Sequence, residues 1–159
     1  MKVFSLKTPE DTRKFGNILG SVLKVGDVIS LNGDLGAGKT LLSKSIAEGM
    51  GVDPKDVTSP TFAIMNVYDQ GLIPIYHFDW YRLNNIDELY DTGYEEYLES
   101  NGVCIIEWAE LFKEELPTEY LDLKLTLNSL GGRDLIMTTY GEKYTAISEK
   151  VDEIVNFRN

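Results

Sequence analysis

Two places in the sequence combine residue types and spacing that could do chemistry together. The first is LNGDLGAGKTLLSKSI, residues 31–46, where Gly33 is followed after four residues by Gly38, Lys39 and Thr40. Glycines so spaced let the backbone N–H groups from Leu35 to Lys39 turn inward around an anion, and a helix opening near Lys39 adds its positive end. In such a loop the lysine bridges terminal phosphates and the Thr40 hydroxyl holds magnesium. At ordinary residue frequencies the four fixed positions match by chance in roughly 0.5% of chains of this length. A glycine-rich turn with a solvated lysine is therefore the weaker reading.

The second place is a pair of acids at the ends of apolar runs. Phosphoryl transfer is mostly placement and charge neutralisation, so a hydrolase needs an acidic anchor for the metal and a group to position water. Asp79 closes IYHFD, and Glu107 closes VCIIE, where four apolar residues run into one acid. Glu107 is the stronger metal-side candidate; a cap or a surface acid is the plainer alternative for either. Trp108 follows directly and should lie near the nucleotide, where it and Trp80 could report binding, unless both simply pack. The segment VTSPTF, residues 57–62, carries Thr58, Ser59 and Thr61, a set that suits either a switch-like phosphate sensor or an ordinary capped turn. His77 is the only histidine, either a satisfied core residue or a group that orients Asp79 or reaches a partner, and Cys104 between Val103 and Ile105 reads as packing.

The elements that must position these groups follow from periodicity and punctuation. MKVFSL alternates like a strand, and TPED sets Thr8 as an N-cap with Pro9 in the first turn of a helix running to about Leu23. DVISLNG reads as a buried strand, and Lys39 to Met50 places Leu42, Ile46 and Met50 at helical spacing, so the phosphate loop joins a strand to a helix. TFAIMNVYD and LIPIYHFDW form a hairpin around Gln70 and Gly71. IDELYDTGYEEYLES gives two short helices broken near Gly93, VCIIEW a buried strand, and AELFKEEL a helix stopped by Pro117. LDLKLTLNSLGGRDLIMTTY is a second hairpin around Gly131 and Gly132, before a last helix from about Glu142 to Phe157. These elements make an α/β fold of the phosphate-loop NTPase type, a mostly parallel central sheet with helices on both faces and a C-terminal antiparallel hairpin, in one domain spanning 1–159.

Composition narrows the function further. With 26 acidic against 15 basic residues and a net charge of −11, the chain has the wrong sign for gripping DNA or RNA by itself. One cysteine, no basic leader and no long apolar run point to a cytoplasmic protein away from membranes. A small-molecule kinase fits the length but usually clamps phosphate and acceptor with several arginines; of Arg13, Arg82, Arg133 and Arg158, only Arg82 and Arg133 fall where they could reach a ligand. A guanine-specific switch would want an asparagine or threonine before a lysine and an aspartate, and the nearest string, EKVD at 149–152, begins with glutamate inside a helix. Adenine is preferred.

Taken together, GDLGAGKT, SPTF, HFDWYRL, ELYDTGYEEY and IEWAE, in this order across about residues 8–135, resemble the TsaE family of bacteria, also called YjeE. The resemblance implies an ATPase of tRNA threonylcarbamoyladenosine synthesis that binds and hydrolyses ATP with magnesium. Such a subunit works with the proteins TsaD and TsaB, resetting or licensing that complex between turnovers while TsaD transfers the threonylcarbamoyl group. It touches tRNA only indirectly. Carried over by motif, Asp34, Leu35, Gly36, Ala37, Gly38, Lys39 and Thr40 would hold the phosphates, and Thr40 and Glu107 would flank magnesium with Asp79 in or beside the metal shell. Thr58, Ser59 and Thr61 would form the switch-like loop, Arg133 would approach the nucleotide from the GGRD turn, and Thr8 would lie near the adenine. Arg82 would pair with an acid of the site wall or face TsaD, and the acidic groups from Asp87 to Glu99, chiefly a solvated face, would suit a basic partner groove. The chain departs from the family pattern at Trp80, where leucine is usual, and at Ala109, where proline is usual; neither removes a charge.

Overall fold

Strand β2 (Val28–Gly33) is buried at every residue, Ser30 and Asn32 included, as a strand covered on both faces must be. A computed structural model describing residues 1–34, 36–57 and 65–158 sets β2 at the centre of a seven-stranded sheet ordered β1-β7-β6-β2-β5-β4-β3. β2 pairs in parallel with β5 (Val103–Glu107) and with β6 (Tyr120–Leu127), and β5 pairs in parallel with β4 (Ile75–Asp79). Antiparallel strands extend this centre on both sides. β3 (Met65–Tyr68) adds to β4, while β7 (Arg133–Tyr140) adds to β6 and carries β1 (Lys2–Leu6) at the edge.

The α/β class, the parallel centre and the C-terminal hairpin all match the sequence reading. What the periodicity did not convey is the antiparallel share, because the alternation of MKVFSL marks a strand and not its neighbour.

Alternate residues of the central strands feed two cores. Ile29, Leu31, Val103 and Ile105 face α1 (Pro9–Val22), α2 (Lys39–Gly49) and α5 (Glu142–Arg158), meeting Leu19, Leu42, Ile46 and Val151. Val28, Cys104 and Ile106 face the opposite side, where Phe78, Trp80, Leu89 of α3 (Ile86–Asp91) and Tyr94 of α4 (Tyr94–Leu98) form the second core. Cys104 is packing, as read from its neighbours: burial pushes its thiol up to about 12, leaving it protonated and inert.

Local chemistry sets the element ends. Thr8 caps α1 in a complete capping box with Asp11. Lys143 pairs at 2.7 Å with the fully buried Asp27, and the Tyr144 hydroxyl accepts the Val28 N–H at 2.9 Å, so α5 is tied to the start of β2. One expectation is corrected. Residues Ala109–Glu115 form a 3-10 segment broken at Phe112 (φ −134°) rather than an α-helix. The break turns the Phe112 ring into the second core, edge-on to Trp80 at 6.0 Å. Among the described residues, no helix is long and apolar enough to cross a membrane.

Helices α1 and α2 pack closely through glycines. A Cβ at Gly20 would lie 2.2 Å from the Ile46 carbonyl oxygen. Alanine in a helix interior ordinarily stabilises by up to about 1 kcal/mol relative to glycine. Here the clash outweighs that gain by about 1–3 kcal/mol, so Gly20→Ala is expected to lower the melting temperature by several degrees. An unchanged or raised Tm in a thermal scan would contradict this packing.

Candidate active site

The parallel register brings three strand ends to one level. Leu31 of β2 and Asp79 of β4 both stand opposite Glu107 of β5, and Gly33 lies two residues beyond Leu31. Open α/β sheets bind ligands at this carboxyl edge. The loop leaving β2 is shaped by backbone that side chains would spoil. A Cβ on Gly33 would sit 2.3 Å from the Leu125 carbonyl oxygen, and Gly38 caps α2 at φ 105°, in the left-handed region. No side chain caps α2, which leaves its first N–H groups available to an anion.

Lys39 begins α2 and is buried. Its ammonium donates to the carbonyl oxygens of Gly33 (2.5 Å) and Asp34 (2.8 Å) and lies 4.2 Å from the centre of the Trp108 ring. Burial holds its pKa below the usual lysine value, against the pull of Glu107, Glu110, Asp34 and Asp79. Thr40 follows, exposed at the first turn. Asp34 is exposed and its carbonyl also accepts the Ala37 N–H at 3.0 Å.

Trp108 is the one non-glycine among the described residues with positive φ (60°), a conformation that costs of order 1 kcal/mol or more. Its N–H donates to Leu31 O at 2.9 Å and its ring meets Tyr81 at 4.8 Å. Trp108 thus stands beside Lys39. Trp80 does not: it is fully buried in the second core, because the 3-10 turn after Asp79 folds it under the sheet.

The two acids face each other across adjacent strands. Asp79 is half-buried, accepts the Tyr81 N–H at 3.1 Å and pairs with Arg82 at 3.4 Å. Burial raises the Asp79 pKa; the Tyr81 amide lowers it, Glu107 raises it and Arg82 lowers it. Glu107 is 5% exposed and receives His77 Nε2 at 2.5 Å. His77 therefore meets Glu107, not Asp79 as one reading of the sequence had it.

Arg133 reaches the loop from β7, with Nε donating to Ala37 O at 2.8 Å and Nη2 to Gly36 O at 3.3 Å. Its guanidinium braces loop carbonyls. Thr8 stands two residues past Leu6, which pairs with Arg133, but its hydroxyl accepts the Asp11 N–H at 3.2 Å as the helix cap. Leu35, Thr58, Ser59 and Thr61 lie outside the described residues. Asn32 was not singled out from sequence; its Oδ1 accepts the Glu110 N–H at 3.0 Å and its Nδ2 donates to Asp122 at 2.7 Å, tying β2 to the chain after Trp108. A lone asparagine inside a buried apolar strand was the available signal.

Among the described residues no group of three His, Cys, Asp or Glu side chains is arranged to hold a metal ion by itself. A hydroxyl and one or two carboxylates suit magnesium, which keeps several waters and takes further oxygens from phosphate.

Comparisons with known proteins converge. Residues 6–135 match a family model described as threonylcarbamoyl adenosine biosynthesis protein TsaE. A protein named tRNA threonylcarbamoyladenosine biosynthesis protein TsaE from Bacillus subtilis is 40% identical over 151 residues, covering 95% of this chain and 94% of its own length. One of the same name from Treponema pallidum is 37% identical over 129 residues, covering 81% and 94%. The crystal structure of Bacillus subtilis YdiB superposes with a TM-score of 0.79 at 34% identity, over 96% of this chain and 94% of that one.

The Arg133 fork spans two loop carbonyls, a geometry lysine cannot reproduce. Arg133→Ala and Arg133→Lys should both speed amide hydrogen exchange across residues 36–39 while shifting the melting temperature little. Unaltered exchange there would show that the loop does not depend on the brace.

Proposed function

Since this chain belongs to the TsaE family of threonylcarbamoyl adenosine biosynthesis proteins, we propose that it is the magnesium-dependent ATPase subunit of tRNA threonylcarbamoyladenosine formation. It acts on a TsaD–TsaB complex rather than on the base, in the cytoplasm, with tRNA met only through that complex. The observation carrying this reading is the placement of Lys39 and the uncapped start of α2 opposite the Asp79–Glu107 pair.

In this reading the loop N–H groups and the start of α2 bind the phosphates. Lys39 exchanges the Gly33 and Asp34 carbonyls for phosphate oxygens, which relieves a desolvated ammonium of neutral partners and gives it anionic ones. Thr40 and Glu107 would hold magnesium, which when bound neutralises charge on the terminal phosphates. Asp79, its pKa raised by burial, stands beside Glu107 to orient water. Trp108 and Tyr81 wall the site and exclude bulk solvent from Lys39. A kinase reading loses ground: Arg13 is committed to Glu48 at 3.1 Å and Arg133 to the loop. The exposed Glu95 and Glu96 of α4 fit a basic partner surface.

Phosphate release from ATP should be measurable with the protein alone, rise on adding purified TsaD and TsaB, and fall on the order of a hundredfold or more in Lys39→Ala. Lys39-dependent hydrolysis indifferent to TsaD and TsaB would keep the ATPase and detach it from that complex. Release of ADP only with an added acceptor, without inorganic phosphate, would favour a kinase.

Tryptophan emission provides a separate check on binding. Magnesium and ATP should change the emission of the wild-type protein and of Trp80→Phe, and should leave Trp108→Phe unresponsive. A full response in Trp108→Phe would place the nucleotide elsewhere.

A further inference from the structure

Three polar side chains cross the face of the sheet that packs against α2, in a diagonal row over three strands. Tyr68 on β3, His77 on β4 and Glu107 on β5 are 3%, 1% and 5% exposed. The register explains the diagonal. Tyr68 pairs with Ile75, two residues before His77, and His77 pairs with Ile105, two residues before Glu107. Tyr68 therefore leans back along β3, which runs antiparallel to β4, and His77 leans forward along β4, each to meet the next, and the row ends at the carboxyl edge of the sheet.

The contacts define a direction. The Tyr68 hydroxyl is 3.2 Å from His77 Nδ1, and His77 Nε2 is 2.5 Å from Glu107 Oε2. Asn66 Nδ2 donates to the Tyr68 oxygen at 3.4 Å. A carboxylate oxygen accepts, so the hydrogen bond between His77 and Glu107 is donated by Nε2–H. In a neutral imidazole the proton then sits on Nε2, facing the carboxylate, and Nδ1 is an acceptor.

Desolvating three polar groups is costly unless each is bonded, and an apolar side chain at position 77 would fill the same space between Ile75 and Ile105 without that cost. Carboxylates that hold metals are commonly fixed by an outer hydrogen bond.

We infer that His77, held by Tyr68, is a positioning residue: it donates Nε2–H to one oxygen of Glu107 and leaves the other as the oxygen that serves the phosphate and magnesium site. The inference rests on the ATPase reading for its consequence, not for its geometry. His77 touches no substrate in this arrangement; it acts through Glu107.

The geometry can be tested without nucleotide. Because the chain has one histidine, a long-range proton–nitrogen correlation spectrum of the free protein contains a single imidazole. The expected pattern is the neutral form protonated on Nε2, with the Nδ1 resonance moving in Tyr68→Phe and the Nε2 resonance in Glu107→Gln. A proton on Nδ1 with bare Nε2, or resonances indifferent to both substitutions, overturns the inference even if ATP hydrolysis is intact.

The consequence is tested by kinetics. His77→Phe should lower kcat for phosphate release by about 10- to 100-fold, with nucleotide affinity read from Trp108 emission changed much less. His77→Gln places an amide N–H where Nε2 stood and should regain most of the loss. In a Glu107→Gln background the His77 substitutions should add nothing further, since groups acting as one unit are non-additive. Full additivity overturns a role through Glu107. Should His77→Phe fail to fold, His77→Gln and Tyr68→Phe carry the test. Should the wild-type protein release no phosphate, the ATPase reading fails and the imidazole spectrum still decides the placement of His77.

Discussion

The parallel register of β2, β5 and β4 is the constraint on which the site depends. Glu107 stands opposite both Leu31 and Asp79, so a slip of one residue in either pairing would turn a carboxylate to the opposite face. Register is held because both faces of these strands are buried: Leu31 and Ile105 must meet α2, and Cys104 and Ile106 must meet the second core. The apolar pattern thus positions the polar ends.

Given that register, Lys39, Glu107, Asn32 and Ser30, drawn in at the sheet edge, find partners nearby. Lys39 lies on two carbonyls and an indole face; Glu107 lies on His77; Asn32 and Ser30 share Asp122. In a low-dielectric edge such bonds are strong when made and expensive when broken. The loop is braced by Arg133 on one side and by the Leu125 backbone on the other. Strain is concentrated at Trp108, whose left-handed backbone turns its ring beside the lysine immediately after the buried acid. That is where the chain must reverse from a strand that ends in a carboxylate to a 3-10 segment that returns to the second core.

Much of this was legible in residues 28–50. A buried apolar run, glycines at fixed offsets and a helical repeat of Leu42 and Ile46 announce strand, loop and helix from neighbours within a few positions. The capping box at Thr8 and the turn at Gly131 and Gly132 were equally local. The segment after Trp108 misled because helical spacing does not reveal a backbone broken to bury Phe112. Trp80 stayed open between packing and the site because its proximity in sequence to Asp79 says nothing of which face it enters.

By itself, the sequence determined the order of elements, the glycine-rich turn between β2 and α2 and the two acids at the strand ends, since each is written in spacing shorter than about two helical turns. Tertiary structure alone decided that His77 serves Glu107, that Arg133 braces the loop, that Asn32 secures the chain beyond Trp108, and that β1 closes an antiparallel edge. Those contacts join residues 30 to more than 130 positions apart. Strand pairing brings them together, and no local periodicity encodes which strands will pair or which side chains will meet across them.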